Sequence, residues 1–181
     1  LKREKWEAAV ADAKIITEQN PKDINALMIQ VKALQALDAS KELLVSAKKL
    51  FRAAPHMIES LEALCYAYSK NGEPEAVINV AANALKLDPD QINLSLMQAG
   101  AYFGIGHMEH AFDIIDAALE VNPEHIDALQ NRGVIQERLL DIDGAKETYR
   151  KLLHLDPSRS ATKFNLALCE LLQGNFHEGF A

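Results

Sequence analysis

The residues best suited to chemistry in this chain are its six histidines, two cysteines and closely spaced acids. His107 and His110 are three residues apart, but they straddle the turn after Gly106 and share no established helical face. His56 and His125 lie just after prolines, and His154 and His177 stand apart from both. No carboxylate–histidine or cysteine–histidine spacing of a known zinc-site type occurs. Asp141 and Asp143 sit in the run Asp141-Ile142-Asp143-Gly144, where acids start a helix rather than exchange protons. A Gly-rich phosphate loop, a nucleophile elbow and a Cys–His pair are all missing. The stretch is therefore expected to hold no catalytic residue, no metal and no cofactor.

What the sequence does contain is a period. Pro21, Pro55, Pro89, Pro123 and Pro157 follow one another at 34 residues (55−21, 89−55, 123−89, 157−123). A strict repeat of that length marks stacked supersecondary units, which present an extended concave surface. The clearest unit runs from Ile126 to Pro157. Leu129, Gly133 and Gln136 share one helical face, and Gly133 lets a neighbouring helix approach the backbone. Inside a helix such a glycine costs about 1 kcal/mol relative to Ala, which close packing can justify. Ala145, Tyr149 and Leu152 form the stripe of a second helix, and Asp156-Pro157 stops it. Two such helices make an antiparallel hairpin whose open face the next repeat covers.

The other units follow the same scheme. Val31, Cys65, Ala99, Gly133 and Ala167 occupy the close-approach site, and Gly72, Gly106 and Gly174 mark the turn between helices, with Asp38 in the corresponding place. Cys65 and Cys169 lie about three repeats apart, too far for a disulfide, and read as small core residues.

Bulk properties agree. At 181 residues and 49% hydrophobic, with few Gly and Pro, the chain has material for a helical core. A net charge of −7 argues against nucleic acid. Residues 1–60 carry 10 Lys/Arg against 8 Asp/Glu, and residues 61–181 carry 9 against 18. That gradient would steer a basic partner towards the C-terminal part. No apolar run is long enough to span a membrane, and no cleavable signal is present. The expected location is cytoplasmic, although the chain begins with Leu1 rather than Met.

The 34-residue spacing, the small/aromatic/Ala pattern and endings such as Lys86-Leu87-Asp88-Pro89 and His154-Leu155-Asp156-Pro157 resemble the tetratricopeptide repeat (TPR) family. The resemblance implies an all-α, right-handed superhelical solenoid of antiparallel helix pairs. It divides the chain into a leading second helix (1–23), full repeats at 24–57, 58–91, 92–125 and 126–159, and an incomplete one at 160–181. It also implies that the first helices of the repeats line a concave groove. The implied peptide-binding residues are Met28, Lys32, Glu62, Tyr66, Leu96, Phe103, Gln130, Asn131, Glu137, Phe164, Asn165 and Leu168. This mixture of aromatic, aliphatic and acidic side chains suits a peptide with apolar anchors and a few Lys/Arg.

Some family members hold a chaperone's C-terminal carboxylate with Lys, Asn and Arg. Met28, Lys32, Ala63, Asn93 and Met97 do not reproduce that set, which disfavours a co-chaperone role. Asn131 and Asn165 resemble two rungs of the asparagine ladder of O-linked N-acetylglucosamine transferases, but Met97, Ala63 and Ile29 fill the preceding sites. The final segment, Leu171 to Phe180, resembles the last repeat of bacterial TPR proteins with a downstream glycosyltransferase-like domain. Three readings stay open: a peptide-binding protein scaffold, the substrate-recruiting arm of a larger glycosyltransferase-type enzyme, and a homo-oligomer joined through uncovered ends.

Overall fold

The computed structural model describes residues 2–175. Among these, every regular element is an α-helix: α1 (Lys2–Gln19), α2 (Ile24–Ala36), α3 (Ser40–Ala53), α4 (Ile58–Lys70), α5 (Pro74–Leu87), α6 (Ile92–Gly104), α7 (Met108–Val121), α8 (Ile126–Arg138), α9 (Ile142–Leu155) and α10 (Ser160–Leu172). The even-numbered helices from α2 onward start 34 residues apart, and so do the odd-numbered ones from α3. None is long and apolar enough to cross a membrane. Phe176, His177, Glu178, Gly179 and Phe180, which carry part of the glycosyltransferase-like resemblance, lie outside the described residues. The chain forms two compact units, 1–97 and 98–181, divided within α6.

In the first unit the core is one apolar cluster. Leu27, Val31 and Leu34 of α2 meet Leu43, Ala47 and Leu50 of α3 and Ala63, Leu64 and Ala67 of α4. Recurrence at three and four residues puts each set on one stripe, and burial of that stripe supplies the main driving force. Polar bonds fix the loops. Asp23 caps α2 by accepting from the Ala26 amide at 2.9 Å. Asn71 Nδ2 donates to the Ser40 carbonyl (2.9 Å), tying the end of α4 to the start of α3. Cys65 is buried and free, and burial, reinforced by Glu62, pushes its thiol up to about 12.

In the second unit Ala145, Tyr149 and Cys169 form a buried cluster. The close approach expected at Gly133 is made by the Tyr149 ring, which a methyl group on Gly133 would overlap. Asp141 caps α9 by accepting from the Gly144 amide at 3.1 Å, the helix-starting role its position suggested. His125 caps α8 in the same way through Nδ1, 3.3 Å from the Ala128 amide, a role the loop position alone did not reveal. The repeat's turn residue has φ of +71° at Gly72, +85° at Gly106 and +81° at Gly174, but a non-glycine takes it twice: Asp38 (+54°) and Leu140 (+62°). The Leu140 backbone is strained for a side chain that is 82% exposed.

Candidate functional site

In the first unit, α2 and α4 leave a hollow of about 210 Å³, with Met97 of α6 at its edge. Met28, Val31, Ala63 and Met97 give it an apolar floor, while Lys32, Gln35, Glu59 and Glu62 supply its polar wall beside Tyr66. Helical spacing explains the convergence: 28, 31, 32 and 35 lie on one face of α2, and 59, 62, 63 and 66 on one face of α4. Met28, Lys32, Glu62 and Tyr66, expected from the sequence, are thus brought together. Glu59 was missed, although its three-residue spacing to Glu62 would have found it. Glu62 accepts from Asn93 Nδ2 at 2.8 Å, which fixes the carboxylate at the rim. Lys70 Nζ lies 5.7 Å from the Tyr66 ring centre and pairs with Asp38 at 2.9 Å. Leu96 is half-buried and lines neither this hollow nor the next.

In the second unit a smaller hollow of about 120 Å³ is lined by Gly100 and Phe103 of α6 with Asn131 and Val134 of α8. Three further expected site residues make hydrogen bonds within the α8–α10 packing. Gln130 Oε1 accepts from the Thr162 hydroxyl at 2.7 Å. Asn165 Nδ2 donates to the Tyr149 hydroxyl at 3.2 Å, and Cys169 Sγ to Glu137 at 3.4 Å. Burial and then the Glu137 carboxylate push the Tyr149 phenol up, and burial with the Glu137 hydrogen bond raises the Cys169 thiol to about 12. Both groups are therefore neutral packing elements at physiological pH. Phe164 and Leu168 are exposed on α10. Asn131 and Asn165 consequently stand in different environments, one in a hollow and one bonded to a core phenol.

His107 and His110 pack 5.7 Å apart, with His110 stacked on Tyr102 at 5.3 Å. Among the described residues no group of three or more His, Cys, Asp or Glu is placed to hold a metal ion.

Residues 126–159 match the tetratricopeptide repeat family model. The chain is 30% identical over 115 residues to an FK506-binding protein-like protein of Rattus norvegicus, covering 59% of this chain and 33% of that protein. It spans about a third of the length of that relative. Its fold superposes on TTC0263, a thermophilic TPR protein of Thermus thermophilus, with TM-score 0.75 and 20% identity, over 92% of this chain and 91% of that one. It also superposes on the first TPR of Spaghetti (RPAP3), solved bound to the HSP90 peptide SRMEEVD, with TM-score 0.61 and 23% identity over 63% and 93%. The glycosyltransferase-like resemblance has no counterpart among these proteins. Residues 126–159 are thus a tetratricopeptide repeat, and the chain has the all-α TPR fold of stacked helix hairpins.

Proposed function

We propose that this chain is a protein-interaction scaffold that binds an extended peptide along the first helices of its hairpins, with the α2–α4 hollow as principal anchor site. The observation that carries this reading is the hollow itself: an apolar floor of Met28, Val31, Ala63 and Met97 under Lys32, Glu59, Glu62 and Tyr66. Such a floor takes one aliphatic or aromatic anchor, and the two glutamates favour Lys or Arg beside it. The peptide-bound state of the Spaghetti TPR supports peptide binding by this fold. The wall chemistry differs from an acidic-tail receptor, since two glutamates share the lining with the single cation Lys32. Phe103 and Asn131 offer a smaller site in the second unit, and Phe164 and Leu168 offer further apolar contact. Gln130, Glu137 and Asn165 position the helices around them.

The test is fluorescence anisotropy with a labelled peptide that sets Leu between Lys and Arg residues, in parallel with SRMEEVD. The Leu-centred basic peptide binds more tightly, and Tyr66→Ala weakens it by about tenfold, as loss of an aromatic anchor does. Phe103→Ala weakens it less. Unchanged binding in both variants, with helical circular dichroism intact, would place the site elsewhere. Tighter binding of SRMEEVD at this hollow would overturn the assigned specificity.

A further inference from the structure

Two more hollows lie in the first unit, built mainly from second helices and the loops after them, and the repeat relates them. One, of about 260 Å³, is lined by Thr17, Pro21, Lys22, Lys49, Arg52 and Ala53. The other, of about 520 Å³, is lined among others by Phe51, Pro55, His56, Val80, Asn83 and Leu87. Adding 34 converts Thr17 to Phe51, Pro21 to Pro55, Lys22 to His56, Lys49 to Asn83 and Ala53 to Leu87. The same structural position thus recurs with opposite chemistry. The first hollow has three cations and no carboxylate in its lining. Among the described residues none of Lys22, Lys49 and Arg52 is paired with an acid. The second is mostly apolar, walled by Phe51, Ile58, Leu61, Val80 and Leu87, with Asn79, Asn83 and the single carboxylate of Asp88 also in its lining. Arg52 and Phe51, adjacent on α3, contribute to one hollow each, so the two flank the C-terminal end of that helix.

We infer that these paired hollows form a second docking surface, separate from the α2–α4 groove, for an acidic segment of a partner protein in which Asp or Glu residues adjoin an aliphatic or aromatic side chain. Charge complementarity selects the occupant. Three unpaired cations gather around a single hollow in a chain whose net charge is −7, so their attraction is local and favours an anion held there. The apolar neighbour holds the adjoining side chain and shields the ion pairs from water, which strengthens them. Nucleic acid fits poorly, because its phosphates would require a continuing basic track where the apolar hollow lies. The Thr17 hydroxyl already donates to the Lys14 carbonyl at 3.0 Å, which leaves the cations as the anion's partners.

The experiment is fluorescence anisotropy with the whole chain and a labelled peptide in which a run of glutamates precedes Leu-Phe, at about 0.15 M salt. Lys49→Glu with Arg52→Glu weakens binding by tenfold or more, roughly the effect of two reversed charge pairs. Leu87→Asp, at a side chain 77% exposed, weakens it by about threefold to tenfold. Tyr66→Ala leaves it unchanged, which separates this surface from the groove and makes the two proposals fail independently. Circular dichroism confirms that each variant folds. The proposal is overturned by absence of saturable binding, by indifference to both the charge reversal and Leu87→Asp, or by sensitivity to Tyr66→Ala. Displacement by inorganic phosphate as effective as by unlabelled peptide would instead assign the basic hollow to phosphate. Self-association abolished by the charge reversal would assign the surface to a second copy of the chain, and either result overturns it.

Discussion

The two units solve the same packing problem from opposite sides. In the first, Val31 stands at the close-approach site of α2 and Ala47 sixteen residues on in α3; in the second, the same two positions hold Gly133 and Tyr149. All four residues are buried. Bulk has moved from the first helix of the hairpin to the second, and the intermediate pairs, Cys65 with Ala81 and Ala99 with Ile115, fall between. The choice has a consequence at the groove. Tyr149 brings a hydroxyl between α8 and α10, where Asn165 donates to it and Glu137 holds Cys169. Ala47 has no such group, and the residues three repeats earlier, Gln35 (137−102) and Ala63 (165−102), line the open hollow. For Asn165, engagement away from the groove therefore follows from the core residue one helix away.

The largest expected effect tests that exchange directly. Tyr149→Ala empties a fully buried site and costs about 3–5 kcal/mol. Gly133→Val alone drives a branched side chain into the Tyr149 ring and costs about 1–3 kcal/mol. The double variant reproduces the Val31/Ala47 arrangement, and its loss falls short of the summed singles by more than about 1 kcal/mol. Urea unfolding followed by circular dichroism measures all four proteins. Simple additivity would show that the two positions are not exchanging volume.

A second contrast lies at the next interface. Arg150 and Lys146 of α9 hold Glu170 of α10 at 2.6 and 2.8 Å, with Asn175 also donating to it at 2.8 Å. Three repeats earlier, the places of Arg150 and Glu170 are taken by Lys48 and Tyr68, where the ammonium lies 5.1 Å from the ring centre. The first contact depends on an ionised carboxylate and the second does not. Hydrogen bonding from Lys146, then from Asn175, holds the Glu170 carboxyl below its ordinary 4.5. A depressed carboxyl contributes stability that is complete above the ordinary value and is lost as pH falls through the folded one. Glu170→Gln should accordingly lower the urea midpoint at neutral pH, and the gap from wild type should close as pH drops below 4.5. Lys48→Met should give a gap independent of pH over the same range. A constant gap for Glu170→Gln would remove the carboxylate from the account.

Tyr149→Phe separates the ring from its hydroxyl. It keeps the contact with Gly133 and leaves Asn165 and Glu137 without the phenol, at a cost of about 1 kcal/mol. Cross-peaks of the Asn165 side-chain amide should shift towards solvent-exposed values in nuclear magnetic resonance spectra. An unchanged amide would mean that the hydroxyl does not hold it.

The sequence made the helix register legible because a 34-residue spacing carries similar steric punctuation through the repeats: proline after each second helix, and a small residue at every close approach but that of Val31. Met28, Lys32, Glu62 and Tyr66 could be gathered once the family resemblance assigned the first helices to the groove, since helical spacing then fixes their face. Gln130, Glu137 and Asn165 occupy comparable register positions, yet their side chains bond across to α9 or α10. Periodicity gives the face of a helix; it does not give the reach of a facing hydroxyl or thiol. His125 escaped notice for a related reason, because an imidazole accepting from a helix N-terminus has no distinctive spacing. The hollow lined by Thr17, Lys22, Lys49 and Arg52 escaped because it lies among second helices and loops, away from the groove that the family resemblance singled out.

The smallest effect concerns the turn, where the units again differ. Asp38 and Leu140 both hold positive φ, at +54° and +62°, in the place that glycine takes in three other repeats. Aspartate enters this region more readily than leucine, because its short polar side chain can bond locally. Asp38 also accepts from Lys70 at 2.9 Å, so its side chain has a partner that glycine would remove. Leu140 has no comparable return, being 82% exposed. Leu140→Gly should therefore raise the melting temperature, through relief of about 1 kcal/mol of backbone strain set against the greater freedom glycine gives the unfolded chain. Asp38→Gly should leave it unchanged or lower it. Thermal unfolding of the two variants side by side decides the matter: a larger gain at Asp38 would mean that the turn's strain, and not the side chain's partner, governs both sites.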